Sequence, residues 1–155
     1  MDKLVYVWPG SATEPRARLS QRLSELLPGD IDTFFFTLGG AEANENAIKV
    51  ARQYTGRHKI IARYRSYHGA TNACMQLTGD PRRLENEPGM PGVVHVMDPE
   101  PYDYSFGASP EEVTKNHLTY LEEVLRYEGT DKIAALFIET VTGTMPPLDS
   151  QLRNS

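Results

Sequence analysis

Apolar residues recur at helical spacing over residues 13–27, where Ala17, Leu19, Leu23, Leu26 and Leu27 form one stripe, so an amphipathic helix is expected there. Thr13 is the candidate N-cap and Pro28-Gly29 the stop. The pattern then changes period. IDTFFFT, residues 31–37, is short, aromatic and Thr-containing, which predicts a strand ending near Thr37. A second helix is expected over residues 41–54, burying Ala43, Ala47, Val50, Ala51 and Tyr54 and ending at Gly56. KIIARY (59–64) and GVVHVM (92–97) read as strands separated by a polar, Pro-rich loop over residues 80–91. Ser109-Pro110-Glu111-Glu112 is a capping box with Pro at the first helical position. The helix it opens should run to Tyr127, stop at Gly129 and bury Val113, Leu118, Leu121, Val124 and Leu125. KIAALFIE (132–139) is almost uninterruptedly apolar, as expected of a strand buried on both faces.

Strands alternating with helices imply right-handed crossovers and a parallel sheet. The expected fold class is therefore α/β, a three-layer α/β/α arrangement around a mainly parallel sheet, with its binding crevice at the strand C-terminal ends.

Composition narrows the function classes. The chain has 155 residues, enough for one domain with a sizeable core. A net charge of -5, with both signs mixed along the chain, argues against a nucleic-acid partner. One cysteine, Cys74, cannot form an internal disulfide, and no apolar run reaches membrane-spanning length. A cytoplasmic location is expected, with no membrane partner.

Candidate chemistry gathers at two strand ends. Thr37-Leu38-Gly39-Gly40 hands a strand over to a helix whose first N–H groups have no intrahelical partner. Two glycines allow close backbone approach, and the helix dipole favours an anion such as phosphate. The same residues also suit a plain tight turn with Glu42 as a first-turn carboxylate, and both readings stay open at this point. Neither G-x-G-x-x-G nor G-K-[ST] is present, so dinucleotide and nucleoside-triphosphate readings lose support. Ser66-Tyr67-His68-Gly69 follows the next strand on the same edge. Tyr67 could cover a planar ligand, while His68 could stack, hydrogen-bond, or simply hold the turn. Together the two loops suit one ligand that is both phosphorylated and aromatic.

The stretch FFFTLGGAEANENAIKVARQYTGRHKIIARYRSYHGAT resembles the cofactor-binding core of the class III aminotransferases, pyridoxal-phosphate enzymes of fold type I that include the ω-amino acid transaminases. The matching elements are G-[AS]-E-A-N-x-x-A-I-K-x-A-R, then T-G-R, then Y-H-G, and IAALFIETVTGT is similar to a later family strand that usually reads I-E-P. The resemblance runs from about Tyr6 to Thr144. It implies pyridoxal 5'-phosphate as cofactor, with the amides of Gly40 and Ala41 on its phosphate, Tyr67 stacked on its ring, His68 beside that ring and Glu139 in a polar network around it. Without the resemblance, Glu139 reads as a carboxylate surfacing where its strand leaves the core. Ala41 stands where many members have Ser, and Thr140 where they have Pro.

The resemblance also implies what is missing. Family members anchor the cofactor on a lysine and protonate its ring nitrogen through an acidic partner, both on later strands. Lys49 and Lys115 fall in helices, Lys59 and Lys132 begin strands at the wrong end, and Lys3 is near the terminus. Residues 1–144 thus read as a partial large domain and 145–155, MPPLDSQLRNS, as a divergent disordered tail, as in a truncated, misspliced or frame-shifted product. The parent would move an amino group from an amine or ω-amino acid to a 2-oxo acid and be a homodimer. The chain alone should not turn over and should be poorly soluble. The alternatives are a non-catalytic phosphate-ligand or interaction module, and a structural remnant with no ligand.

Overall fold

The computed structural model describes residues 7–8, 10–99 and 104–139. The expected tail at 145–155, Thr140 and Thr144 lie outside the described residues. The backbone groups into two compact units, Met1–Phe36 and Thr37–Ser155.

The first unit holds helix α1, Glu14–Leu26. Pro15 suits its first turn, where no intrahelical donor is needed. Thr13 sits at the N-cap as expected, yet its side chain makes no capping hydrogen bond. No residue of α1 is buried, and Leu19 and Leu26 on the expected stripe are exposed. The expected strand at 31–37 is not formed. These residues have no ladder partner among those described, and a strand exists only through such pairing. The segment still alternates, with Phe34 and Phe36 stacked 6.4 Å apart and Phe35 facing solvent.

The second unit is a three-stranded parallel sheet with its helices, which matches the expected α/β class. In chain order it contains α2 (Gly40–Thr55), β1 (Lys59–Arg63), α3 (Asn72–Leu77), β2 (Val93–Val96), α4 (Pro110–Glu128) and β3 (Ile133–Phe137), with short 3-10 turns at Pro81–Asn86 and Thr130–Lys132. The strand order is β2-β1-β3, so β1 is central, and Ile60 lies between Val93 and Ala135. Central placement explains why Ile60, Ile61 and Ala62 are each 0% exposed. Ile60 and Ala62 pack with Ile48 of α2 and with Ala73 and Leu77 of α3, and Ile61 alternates to the opposite face. Helix α4 is tied to the end of β2 by Tyr120 Oη, which accepts from Met97 N–H at 3.2 Å.

Three sequence expectations are corrected here. Helix α2 buries Ile48, not the stripe of Ala43, Ala47, Val50 and Tyr54, and Tyr54 is 91% exposed. The helix carries two apolar stripes, and the sheet takes the one that brings a β-branched side chain against Ile60. Strand β3 is an edge strand and is not buried on both faces: Ala135 and Phe137 pack against the core, while Leu136, and Ile138 just beyond the strand, are exposed on the alternate face. Helix α4 turns Leu118 outward and half-buries His117 and Tyr120 instead, since these rings pack on Phe106. Helix α3 was not anticipated, because six residues are too few to display a helical period. The Ser109 cap is as expected, its hydroxyl accepting from Glu112 N–H at 3.3 Å.

Candidate functional site

All three strands of the parallel sheet deliver a charged residue to the same edge. Arg63 ends β1, Asp98 follows β2 and Glu139 follows β3. The Arg63 guanidinium lies 3.7 Å from Asp98 and 3.5 Å from Glu139, and its side chain is largely buried. This arrangement fixes the Glu139 carboxylate beside His68, whose Nε2 is 4.0 Å from Glu139 Oε2. That separation exceeds hydrogen-bond length, so His68 Nε2 and Glu139 Oε2 are both buried with hydrogen-bonding capacity unused. His68 presents its ring edge-on to Phe137.

The loop bearing Tyr67 and His68 is held by its backbone. Ser66, almost wholly buried, donates to Arg63 O at 2.6 Å, and the amide of Gly79 donates to Ser66 O at 3.0 Å. Gly79 leaves no room for a Cβ, which would overlap the backbone of Arg63 and Tyr64. His68 N–H donates to Thr78 Oγ1 at 3.1 Å, and His68 O accepts from Asn44 of α2 at 2.8 Å. The main chain of His68 therefore secures the turn, and its ring is left for other work.

That loop is packed on the start of α2. A Cβ added at Gly69 would meet Ala41 Cβ at 2.7 Å, so the two chains touch. The Cys74 thiol donates to Ala41 O at 3.2 Å, and Glu45 accepts from Ala73 N–H at 3.1 Å. Burial pushes the Cys74 thiol up, so it stays protonated and acts as a packed hydrogen-bond donor.

At the N-terminus of α2, Gly39 is the N-cap, in extended backbone, and no side chain caps the helix. Glu42 reaches back to accept from Leu38 N–H at 2.7 Å, outside the helix, and the first N–H groups of α2 have no intrahelical acceptor. Neither Gly39 nor Gly40 has a positive φ, and a Cβ at either would meet nothing within 4 Å. Neither turn geometry nor packing among the described residues thus demands glycine here. Glu42 in the first turn suits a plain helix start, and the open space at both glycines suits close approach of a ligand to the backbone.

Tyr67 is 44% exposed, with the Arg82 guanidinium 4.0 Å from its ring centroid. Arg63, Asp98, Asn44, Thr78 and Arg82 were not singled out from the sequence. Only Arg63 and Asp98, polar residues where two apolar strand runs end, left a signal that could have found them. Lys59 and Lys132 lie as expected: Lys59 Nζ pairs with Glu128 at 2.6 Å at the N-terminal end of β1, opposite the charged edge, and Lys132 pairs with Asp131, while Lys3 lies outside the described residues. A cavity of about 350 Å³ in the first unit is lined by Arg16, Phe34 and Phe36 and contains none of the five expected site residues. Among the described residues no cluster suits a metal ion, and no helix is long and apolar enough to cross a membrane.

Burial holds His68 below its ordinary value of 6.5, against the raising effect of Glu139 and with help from Arg63. His95 is lowered as well, chiefly by burial and then by Arg83, against the Leu77 and Thr78 carbonyls and Glu87. Both rings are more easily protonated in the unfolded chain, so their contribution to stability is complete above pH 6.5 and declines as pH falls below it. Urea melts at pH 7.5 and pH 5.5 should show this loss, and His95→Asn should flatten it; an unchanged slope would show that His95 does not titrate differently on folding.

A sequence profile of the family described as "Aminotransferase class-III" matches residues 1–147. The taurine:2-oxoglutarate aminotransferase of Bifidobacterium kashiwanohense, solved in complex with PLP and glutamate, superposes with a TM-score of 0.84 at 42% identity, over 94% of this chain and 35% of that one. A thermostable (S)-enantioselective omega-transaminase from Thermomicrobium roseum gives a TM-score of 0.80 at 38% identity, over 92% of this chain and 36% of that one. A probable aminotransferase of Mycobacterium tuberculosis is 37% identical over 139 residues, 85% of this chain and 30% of its own length. The chain thus spans about a third of the length of these proteins.

Proposed function

The chain belongs to the class III aminotransferases, and from that premise we propose that it carries the phosphate-holding and ring-covering part of a pyridoxal-phosphate site. The observation that carries this reading is the uncapped, glycine-opened start of α2, tied through Asn44 and Ala41 to the loop that bears Tyr67 and His68. A buried His68 nitrogen with unused bonding capacity beside that helix start is a second, independent mark of a polar ligand.

Pyridoxal phosphate, the cofactor with which this family works, supplies an electron sink through which an amino group passes from donor to acceptor. In our reading the Gly40 and Ala41 amides hold its phosphate. Tyr67 covers one face of its ring, with His68 at the ring's side. Neutral at pH 7, His68 can donate or accept one hydrogen bond at Nε2 without adding charge. Arg63 fixes Glu139, whose free oxygen is placed to accept from a donor on the ligand. Ala41 contributes only its N–H, which forgoes a hydroxyl contact worth about 1 kcal/mol.

The parent reaction in this reading is transfer from an amine or ω-amino acid to a 2-oxo acid, in the cytoplasm, by a homodimer, with residues 1–144 as part of its large domain. The chain alone holds ligand without turnover, because Lys59 and Lys132 sit at the other end of their strands from the charged edge. Calorimetric titration with pyridoxamine phosphate, which needs no lysine, tests this. Saturable binding, much weaker for unphosphorylated pyridoxamine, is expected. A demonstrably folded chain that binds neither compound would sink the proposal, as would transamination by this polypeptide alone for the claim of inactivity.

A further inference from the structure

Tyr67 has two ring faces, and one is already taken. The Arg82 guanidinium stands 4.0 Å from the ring centroid, at stacking distance. Arg82 is itself anchored. Asp80, 5% exposed, accepts from Arg82 Nε at 2.7 Å, from its Nη2, and from its backbone N–H at 2.9 Å. That last bond caps the turn Pro81–Asn86, and Pro81 fixes the backbone at the point where Arg82 leaves it. The Nε–Nη2 edge of the guanidinium is thus bonded to Asp80 while Cζ lies over the Tyr67 ring, a pairing that a point-charged lysine cannot reproduce.

We propose that Arg82 is a positioning residue for Tyr67: clamped by Asp80, it backs one face of the ring and presents the other to the aromatic ligand. This rests on the reading of Tyr67 as the residue that covers that ligand. A guanidinium that moved aside to admit a ligand on its own face would leave the carboxylate of Asp80 buried and unpaired, a costly state. The covered face therefore stays covered, and the ligand takes the opposite one. The next residue repeats the device: Arg83, paired with Glu87, lies 5.7 Å from the centroid of Tyr64.

The clamp and the ligand are tested separately. In NMR spectra of the ligand-free chain, the Arg82 Hε and δ-methylene protons should be shifted upfield by the Tyr67 ring current, and the shift should vanish in Tyr67→Leu. Calorimetric titration with pyridoxamine phosphate should then show Arg82→Gln binding about two- to fivefold more weakly. Arg82→Gln should add no further loss in the Tyr67→Leu background. Arg82→Lys keeps a cation beside Asp80, so it should melt as the wild type does while still binding more weakly, which separates positioning from folding. Absence of the ring-current shift overturns the clamp, and so does an equal Arg82→Gln loss with and without Tyr67. A wild-type chain that shows the shift yet binds no pyridoxamine phosphate overturns the cofactor reading and leaves the clamp standing.

Discussion

Gly40→Asp is expected to move stability and ligand binding in opposite directions. Position 40 opens α2 with no side-chain cap, and a Cβ there meets nothing within 4 Å. The fold should accept the new side chain without rearrangement. A carboxylate in the first helical turn also answers the positive end of the helix dipole, raising stability by about 0.3–1 kcal/mol. The same carboxylate would stand where the phosphate is proposed to bind. Like charges about 4 Å apart at an effective dielectric of 20 repel by on the order of 4 kcal/mol, so affinity for pyridoxamine phosphate should fall on the order of a hundredfold or more. Paired urea melts and calorimetric titrations check both halves. A variant of raised stability and unchanged affinity would remove Gly40 from the phosphate site.

Gly69→Ala should be the costlier change to the fold. Its φ of +135° is one that side chains rarely adopt, and the added Cβ would lie 2.7 Å from Ala41 Cβ and 3.1 Å from both Ala41 Cα and Cys74 Cβ. Backbone strain and overpacking each cost about 1–3 kcal/mol, so a loss of about 2–6 kcal/mol is expected. The overlap would also pry the Tyr67 loop from the start of α2, lengthening the 2.8 Å bond from Asn44 to His68 O and weakening ligand binding. Ala41→Gly in the same chain removes the 2.7 Å overlap and leaves the φ strain and the two 3.1 Å contacts, so it should recover part of the loss, up to about half. Denaturant midpoints at constant m-value measure this, and a double variant no more stable than the single would show that Ala41 is not what Gly69 accommodates.

Much of this architecture is legible along the chain, because each strand of the sheet is a short apolar run ended by a turn or a charge. The glycine loop, the Ser109 cap and the placement of the loop carrying Tyr67 and His68 are local features, and local chemistry declares them. Errors arise where a choice belongs to the partner surface. Helix α2 offers Ala43, Ala47, Val50 and Tyr54 on one side and Ile48 on another, and only the sheet decides between them. The aromatic run at Phe34 has strand composition and no ladder to join among the described residues. The links from Arg63 to Asp98 and Glu139 and from Arg82 to Tyr67 bring together side chains from separate turns and strand ends, so no sequence period could have announced them.

The placement of β1 between β2 and β3 also bears on how the protein is made. The strand synthesised first is the one that needs both neighbours, and the Arg57 side chain, just before it, bonds Ile133 O across 76 residues of chain. A ribosome adding 5–20 residues per second takes roughly 4 to 15 s to cover that distance. Throughout that interval one edge of the future centre stands open in the nascent polypeptide. A wholly buried segment of the sheet is thus among the last to be sheltered during its birth.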